Sequence, residues 1–388
     1  MKRIPIILFF LVLAPAASAQ RSIDEVLRQV ENASRELEAQ RQLTTAQKQD
    51  AATGKYMANP TVEMEKMWEA AGAGQNTELA VVQTIDFPTV YGSRNRIAKL
   101  KGSLYEKQWE SQRQQLLLQA KQLCIEIVYL QRDLLDERLS NAERLSEAYR
   151  RKMETGDATS LEANKIAVES ISARTAADLN RAELQAKIQQ LNTMTGDSDD
   201  SFEDVTYPPV ETLPPADVLS EAYMSGNPLL ESMENTLEID RRTVALNRGL
   251  SLPQFEIGYR HDYGEGRATG FKVGMSVPLF ENKNKVKAAK AAAVSSQAQL
   301  ESARTNAASL FRMLYDQAVA LSESMRSMRS ALASQNSLEI LGKALDAGQI
   351  SVIDYFTEAN LLFESRGTLL QIERDYQSAV AALYSFSL

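Results

Sequence analysis

One cysteine and one histidine in 388 residues leave this chain little with which to do covalent or metal chemistry. Cys124 has no second thiol for an intrachain disulfide, and with His261 it is too small a set for a zinc or copper cage. Nothing in the sequence pairs a nucleophile with a base, so no enzyme, no cofactor and no bound metal is expected. Gly264, Glu265 and Gly266 look like a fragment of a phosphate loop, but they fall inside a hairpin connection and not before a helix, which rejects that reading. Positive charge is in deficit as well. Lys and Arg number 43 against 51 Asp and Glu, a balance of −8 that argues against nucleic acid as a partner.

Long apolar runs are also missing. The one near the start, Ile6 to Leu13, is too short to cross a bilayer as a helix. It follows Lys2 and Arg3 and precedes Ala17, Ser18 and Ala19, the pattern of an export signal over 1–19, with Gln20 the expected first mature residue. Losing it would take the balance to −10 (Lys2 and Arg3 removed). No cysteine stands near the cleavage site, so no N-terminal lipid anchor is expected.

What is present occurs twice. Tyr149 to Asn164 and Leu341 to Phe356 are copies of one stretch, 192 positions apart. Met153 matches Leu345, Gly156 matches Gly348, Thr159 matches Ser351, Leu161 matches Ile353 and Glu162 matches Asp354. Each copy joins two apolar-periodic segments through a glycine and a short polar turn, the chemistry of a helical hairpin. Val26 and Leu27 match Val218 and Leu219 at the same offset. Pro60 and Pro253 end the first helical segments, and Pro88 and Pro278 end extended ones.

The expected organisation is therefore two repeats, 20–196 and 216–388, around a proline-rich linker over 197–215. The first holds helices over 22–58, 93–155 and 158–194 with strands over 61–68 and 78–87. The second holds helices over 217–250, 283–346 and 351–385 with strands over 254–262 and 268–279. A helix of ~63 residues is roughly 95 Å long, so the fold class is mainly α, a rod or tube with a small β part. Leu116, Ala120, Leu123, Ile127, Leu130 and Leu134 step 4-3-4-3-4, and Leu300, Ala303, Ala307, Leu310 and Leu314 run on to Met325, Met328 and Leu332 in the second repeat. That is coiled-coil spacing. Met325 and Met328 continue the core stripe and do not read as a soft-metal site; charged runs such as Glu137, Arg138, Glu143 and Arg144 read as solvated.

The strands carry a membrane argument. Phe255, Ile257 and Tyr259 alternate with polar residues or glycine, as do Phe271, Val273 and Met275; the first repeat is weaker, with Leu79, Val81, Ile85 and Phe87 set against Glu78, Thr84 and Asp86 and Gln83 breaking the apolar face. One apolar and one polar face over about 8–11 residues is the pattern of a transmembrane β-strand. The other reading is a pair of half-buried soluble hairpins. Four strands cannot close around a lumen, so a barrel must be shared between copies: two give eight strands and three give twelve.

A chain with two repeats of helix, β-hairpin, long helix, glycine tip and helix resembles the TolC-like outer-membrane efflux protein family. The motifs that carry the likeness are the tips, Gly156 with Leu161, Glu162 and Ala163 and Gly348 with Ile353 and Asp354, and the prolines Pro60 and Pro253 before the strands. The resemblance implies a homotrimer with a twelve-stranded β-barrel in outer-membrane lipid and an α-helical tunnel through the periplasm of a Gram-negative bacterium. It implies a passive exit duct docked through a periplasmic adaptor onto an inner-membrane pump of the RND type. The compact length looks most like the cation-efflux branch (CusC/CzcC type), so heavy-metal cations are the expected cargo. A multidrug or type I protein-secretion channel of the same fold is the alternative, and a periplasmic coiled-coil scaffold a more distant one. The tips Gly156, Asp157, Gly348 and Gln349 are the expected adaptor contacts. Asp354 occupies the family's acidic gate position after the second tip. The family's next acid, three residues on, is Thr357 here, with Glu358 one turn from Asp354 able to substitute.

Overall fold

The computed structural model describes residues 21–68, 75–156, 158–196, 200–210, 212–263, 267–280, 282–333 and 337–388. The expected export signal, Asp157 at the first tip and the loop from Gly264 to Gly266 lie outside them. In chain order the elements are β1 (Arg21–Ser22), α1 (Ile23–Ala33), α2 (Arg35–Thr53), β2 (Thr61–Trp68), β3 (Gln75–Ile85), α3 (Pro88–Arg132), α4 (Leu135–Thr155) and α5 (Ser160–Thr195). The second half adds β4 (Val205–Thr206), α6 (Ala216–Ser225), α7 (Pro228–Gly249), β5 (Gln254–Asp262), β6 (Ala268–Ser276), α8 (Lys285–Ala333), α9 (Ser337–Asp346) and α10 (Val352–Leu383), closing on a 3-10 turn at Ser385–Ser387.

Among the described residues three helices expected to be continuous are divided, and the expected helix over 283–346 passes through 334–336, which lie outside the described residues. Ser34 separates α1 from α2. In place of one helix over 217–250, Gly226 ends α6 and Asn227 starts α7, its Oδ1 accepting from the N–H groups of Leu229 and Leu230 with Pro228 in the first turn. That is ordinary punctuation, readable as Gly-Asn-Pro. In place of one helix over 93–155, α3 stops at Arg132 and α4 starts at Leu135. No glycine or proline marks this break. Asn180 of α5 donates through Nδ2 to the Leu130 carbonyl at 3.1 Å, satisfying an acceptor that the interruption frees. Burial raises the Asp133 carboxyl at the same point.

The described chain forms two compact units. The first comprises the described residues of Met1–Ser34, Leu117–Leu213 and Gln317–Ala381. Its core takes the fully buried side chains Cys124, Ile125 and Ile127 of α3 and Leu191 of α5. Burial pushes the Cys124 thiol up to about 12, a small apolar side chain in effect. Of the expected linker, the described residues 200–210 turn at Phe202, where φ is 53°, and are fastened to the start of the chain. β4 pairs in parallel with β1, and the Arg21 guanidinium spans Asp200 (2.6 Å) and Asp204 (2.6 Å). The two carboxylates hold the Arg21 pKa up, and it holds theirs below the usual range.

Charged faces expected to be solvated are in part ion-pair rungs between α4 and α5. Arg138 binds Glu169 at 2.7 Å, Glu143 binds Arg174 at 2.6 Å and Asp136 binds Arg181 at 2.5 Å. Arg138 and Glu169 are mostly shielded from water, so an antiparallel neighbour, invisible to single-helix periodicity, decided their environment.

The second unit comprises Arg35–Leu116, Pro214–Asp316 and Ala382–Leu388. Along α8 the expected stripe shifts here: Leu310 is 44 % exposed and Phe311 is buried in its place, its ring 5.5 Å from Tyr223 of α6. The unit also holds a four-stranded antiparallel sheet in the order β2-β3-β5-β6, in which β3 and β5 join the hairpins of the two repeats. Among the described residues no helix is long and apolar enough to cross a membrane.

Candidate functional site: the two tips and the sheet

Gly156 closes α4 with φ at 81°, a left-handed conformation that a side chain would strain, and its N–H donates to the carbonyls of Lys152 and Met153. Thr159 then caps α5. Its hydroxyl accepts from the Glu162 N–H while the Glu162 carboxylate accepts from the Thr159 N–H at 2.9 Å. The second tip repeats this chemistry. Gly348 has φ at 68°, its N–H meets the Leu345 carbonyl at 3.0 Å and the Gln349 N–H meets Ala344 at 2.8 Å. Asp354 accepts from the Ser351 hydroxyl at 2.6 Å and from its N–H at 3.2 Å, and gives its own N–H back to the Ser351 oxygen.

Both tips therefore carry a capping box, Thr-x-x-Glu and Ser-x-x-Asp, a signal present in the sequence and more local than the role expected for Asp354. Hydrogen bonds from Ser351 hold Asp354 below the ordinary carboxylate range, and those from Thr159 do the same for Glu162. Asp354 and Glu358 are both exposed, as are Gly156, Gly348 and Gln349. Beneath the tips one core gathers α4, α5, α9 and α10: Leu145, Tyr149, Ile166, Leu345, Val352 and Tyr355 among others. Tyr355, next to Asp354, is fully buried and donates to Asn141 Oδ1 at 2.8 Å. A groove of about 420 Å³ lies between α5 and α10, lined by Lys165, Val168, Ile353 and Phe356.

On the sheet, directly opposed residues project to the same face and alternate positions share it. Val81 faces Val62 and Tyr259, Leu79 faces Met64 and His261, Phe255 faces Met275, Ile257 faces Val273 and Tyr259 faces Phe271. All eight residues expected on a lipid face, Leu79, Val81, Phe255, Ile257, Tyr259, Phe271, Val273 and Met275, thus lie on one side. Among the described residues that side is largely uncovered: Phe271 is 87 % and Val273 78 % exposed, with Leu79 half-buried. Gln83, a polar residue on that face, turns its amide back onto the carbonyls of Ala58 (2.9 Å) and Thr84 (2.8 Å). The other face carries Glu63, Glu65, Glu256 and Lys272, with Arg260 paired to Glu78. Gly258 is required there, since a Cβ would stand 2.8 Å from the Val81 carbonyl oxygen.

Arg21, Asp200 and Asp204 were not singled out by sequence reasoning; nothing local joins side chains 179 and 183 positions apart. His261 lies on β5 with its ring 4.3 Å from Tyr263, and Met325 is buried at 3 % exposure. Among the described residues no three His, Cys, Asp or Glu side chains gather as a metal site.

Comparison with known proteins agrees with this geometry. Residues 219–387 match the model of the family described as outer membrane efflux protein. No curated protein sequence matches the chain. Among solved structures, the VceC outer membrane protein of Vibrio cholerae is similar at a TM-score of 0.77 and 12% identity, covering 94% of this chain and 95% of its own. CusC, described for its transmembrane channel formation, is similar at 0.72 and 15% identity, with 94% and 91% covered. The CmeC outer membrane channel of Campylobacter jejuni follows at 0.71 and 14%, with 94% and 85% covered. The second repeat thus carries the sequence signature of the outer membrane efflux proteins, and the chain as a whole has the TolC-like channel fold.

Proposed function

For a TolC-like outer-membrane efflux protein of this architecture, we propose that the chain is the exit duct of a tripartite efflux system. It acts as a homotrimer, passively conducting cargo delivered by an inner-membrane RND-type pump through a periplasmic adaptor. The single observation that carries this is the sheet. Two hairpins from two repeats form one four-stranded unit whose outer strands, β2 and β6, each have one partner within the chain and whose apolar face is uncovered. Three such units joined edge to edge give twelve strands, a closed barrel with the Phe255, Tyr259 and Phe271 face toward lipid and the Glu63, Glu65 and Glu256 face toward water. Purified protein in a planar bilayer should conduct ions in steps; a protein that inserts and never conducts would sink the reading.

The tips Gly156, Asp157, Gly348 and Gln349 are proposed as the adaptor contacts, and Asp354 as the acid of the periplasmic gate, with Glu358 one turn on. Asp354 uses one carboxylate oxygen as a cap, leaving the other for a three-fold ring that attracts cations. Asp354→Asn keeps an acceptor for Ser351 and removes the charge, so it separates the roles. Reduced cation selectivity with unchanged melting supports the gate; unchanged selectivity rejects it. The cargo proposed is heavy-metal cations. A deletion strain should become sensitive to copper, silver, zinc, cobalt or cadmium, whereas sensitivity confined to detergents, bile salts and dyes would replace that cargo with organic compounds.

A further inference from the structure

Strand register gathers four helix ends at one end of the sheet. Thr61 faces Val82, Ile85 faces Phe255 and Gln254 faces Ser276, so the strand ends joined to α2, α3, α7 and α8 lie side by side. The flanking stretches 53–60, 86–101, 241–252 and 280–290 hold twelve Lys and Arg against two acids, in a chain whose whole balance is −8. One of those acids, Asp86, is taken by Arg94 at 2.6 Å. Arg96, Lys99, Arg248, Lys283, Lys287 and Lys290 are exposed. Large apolar side chains stand bare beside them: Tyr56 at 66 % exposure, Leu279 at 74 % and Phe280 at 82 %. At the hairpin ends of the same strands no such excess stands: the described residues of 65–78 and 260–268 hold three acids and three bases.

We propose that this basic collar binds the anionic headgroups of phospholipids at the helix-side surface of the bilayer. The inference rests on the membrane reading of the sheet above and adds the lipid class and the residues that choose it. A basic cluster immediately beside a membrane-embedded segment draws anionic headgroups over about a Debye length. Long Lys and Arg stems cover apolar surface while their charges reach the headgroups, and Tyr56 and Phe280 supply rings suited to the interface. Overall acidity makes the collar a local feature and not a general attraction for anions. A basic excess at one end only gives the same strands an orientation across the bilayer.

The test is lipid retention by the full-length protein in detergent micelles, offered phosphatidylglycerol and phosphatidylcholine in equal amounts and read by native mass spectrometry. Wild type should retain phosphatidylglycerol in about tenfold preference at low salt, and the preference should vanish in molar salt. The variant Lys283→Gln, Lys285→Gln, Lys287→Gln, Lys290→Gln should lose most of the preference. A second variant on another helix, Arg96→Gln with Lys99→Gln, should lose part of it. Equal retention of the two lipids by wild type, or unaltered preference in both variants, would overturn the proposal. Because the readout needs no pore, a conducting channel without lipid preference sinks this inference alone. Lipid preference without conduction sinks the exit duct and keeps the collar.

Discussion

Ile166 and Glu358 occupy the same place in the two repeats, ten residues after their glycine, yet Ile166 is 1 % exposed and Glu358 lies in solvent. Ala163 and Tyr355 match as well, and there the second repeat holds the buried residue. The turns above them are the same: a left-handed glycine, then a hydroxyl and an acid that cap each other. Turn chemistry involves neighbours a few residues apart, so both copies retain it. The core beneath is one shared cluster fed by four helices, and a shared cluster needs its large side chains only once. The difference between the tips is thus one of packing and not of turn geometry.

The comparison breaks most visibly at Tyr355. Tyr355→Ala should cost about 3–5 kcal/mol through the cavity and the lost bond to Asn141, measured by denaturant melting, and Ile166→Ala about 3 kcal/mol. Glu358→Ala should leave melting unaltered; a loss as large as that of Ile166→Ala would mean the repeats are packed alike after all. Next comes Arg21→Ala, expected to cost about 2 kcal/mol because the Asp200 and Asp204 carboxylates lose their shared cation. Leu213 stands at the matching position, so this clamp has no second copy and a symmetric contribution is excluded. Gly156→Ala and Gly348→Ala should each cost about 1–2 kcal/mol from the left-handed backbone, equally at both tips. Thr159→Ala and Ser351→Ala should cost about 1 kcal/mol each.

Acid sharpens the same comparison. Glu162, Asp354, Asp200 and Asp204 all have pKa values lowered in the folded chain. What they contribute is complete above the ordinary carboxylate range and is lost as pH falls through the lowered values. Amide exchange at Thr159 and Ser351, taken relative to the free-peptide rate at the same pH, should therefore quicken together as pH falls below the ordinary carboxylate range. Quickening at one tip only would show that one capping box carries more than its sequence match implies.

Much of the fold was legible because it is local. The two glycine turns and the strand alternation need only residues a few positions apart. The capping role of Asp354 was equally legible, as Ser351 three residues before it shows. Tertiary structure decided the rest. It placed β3 beside β5, setting all eight apolar residues on one face, and it opened a break at Asp133 and Leu134 with Asn180 of another helix as the freed acceptor's partner. It drew Arg21 onto acids 179 and 183 residues away and turned exposed-looking charges into rungs between α4 and α5. Each of these depends on which distant surfaces meet, and periodicity along one segment holds no record of its neighbour; the turns, whose partners are built into the same dozen residues, needed none.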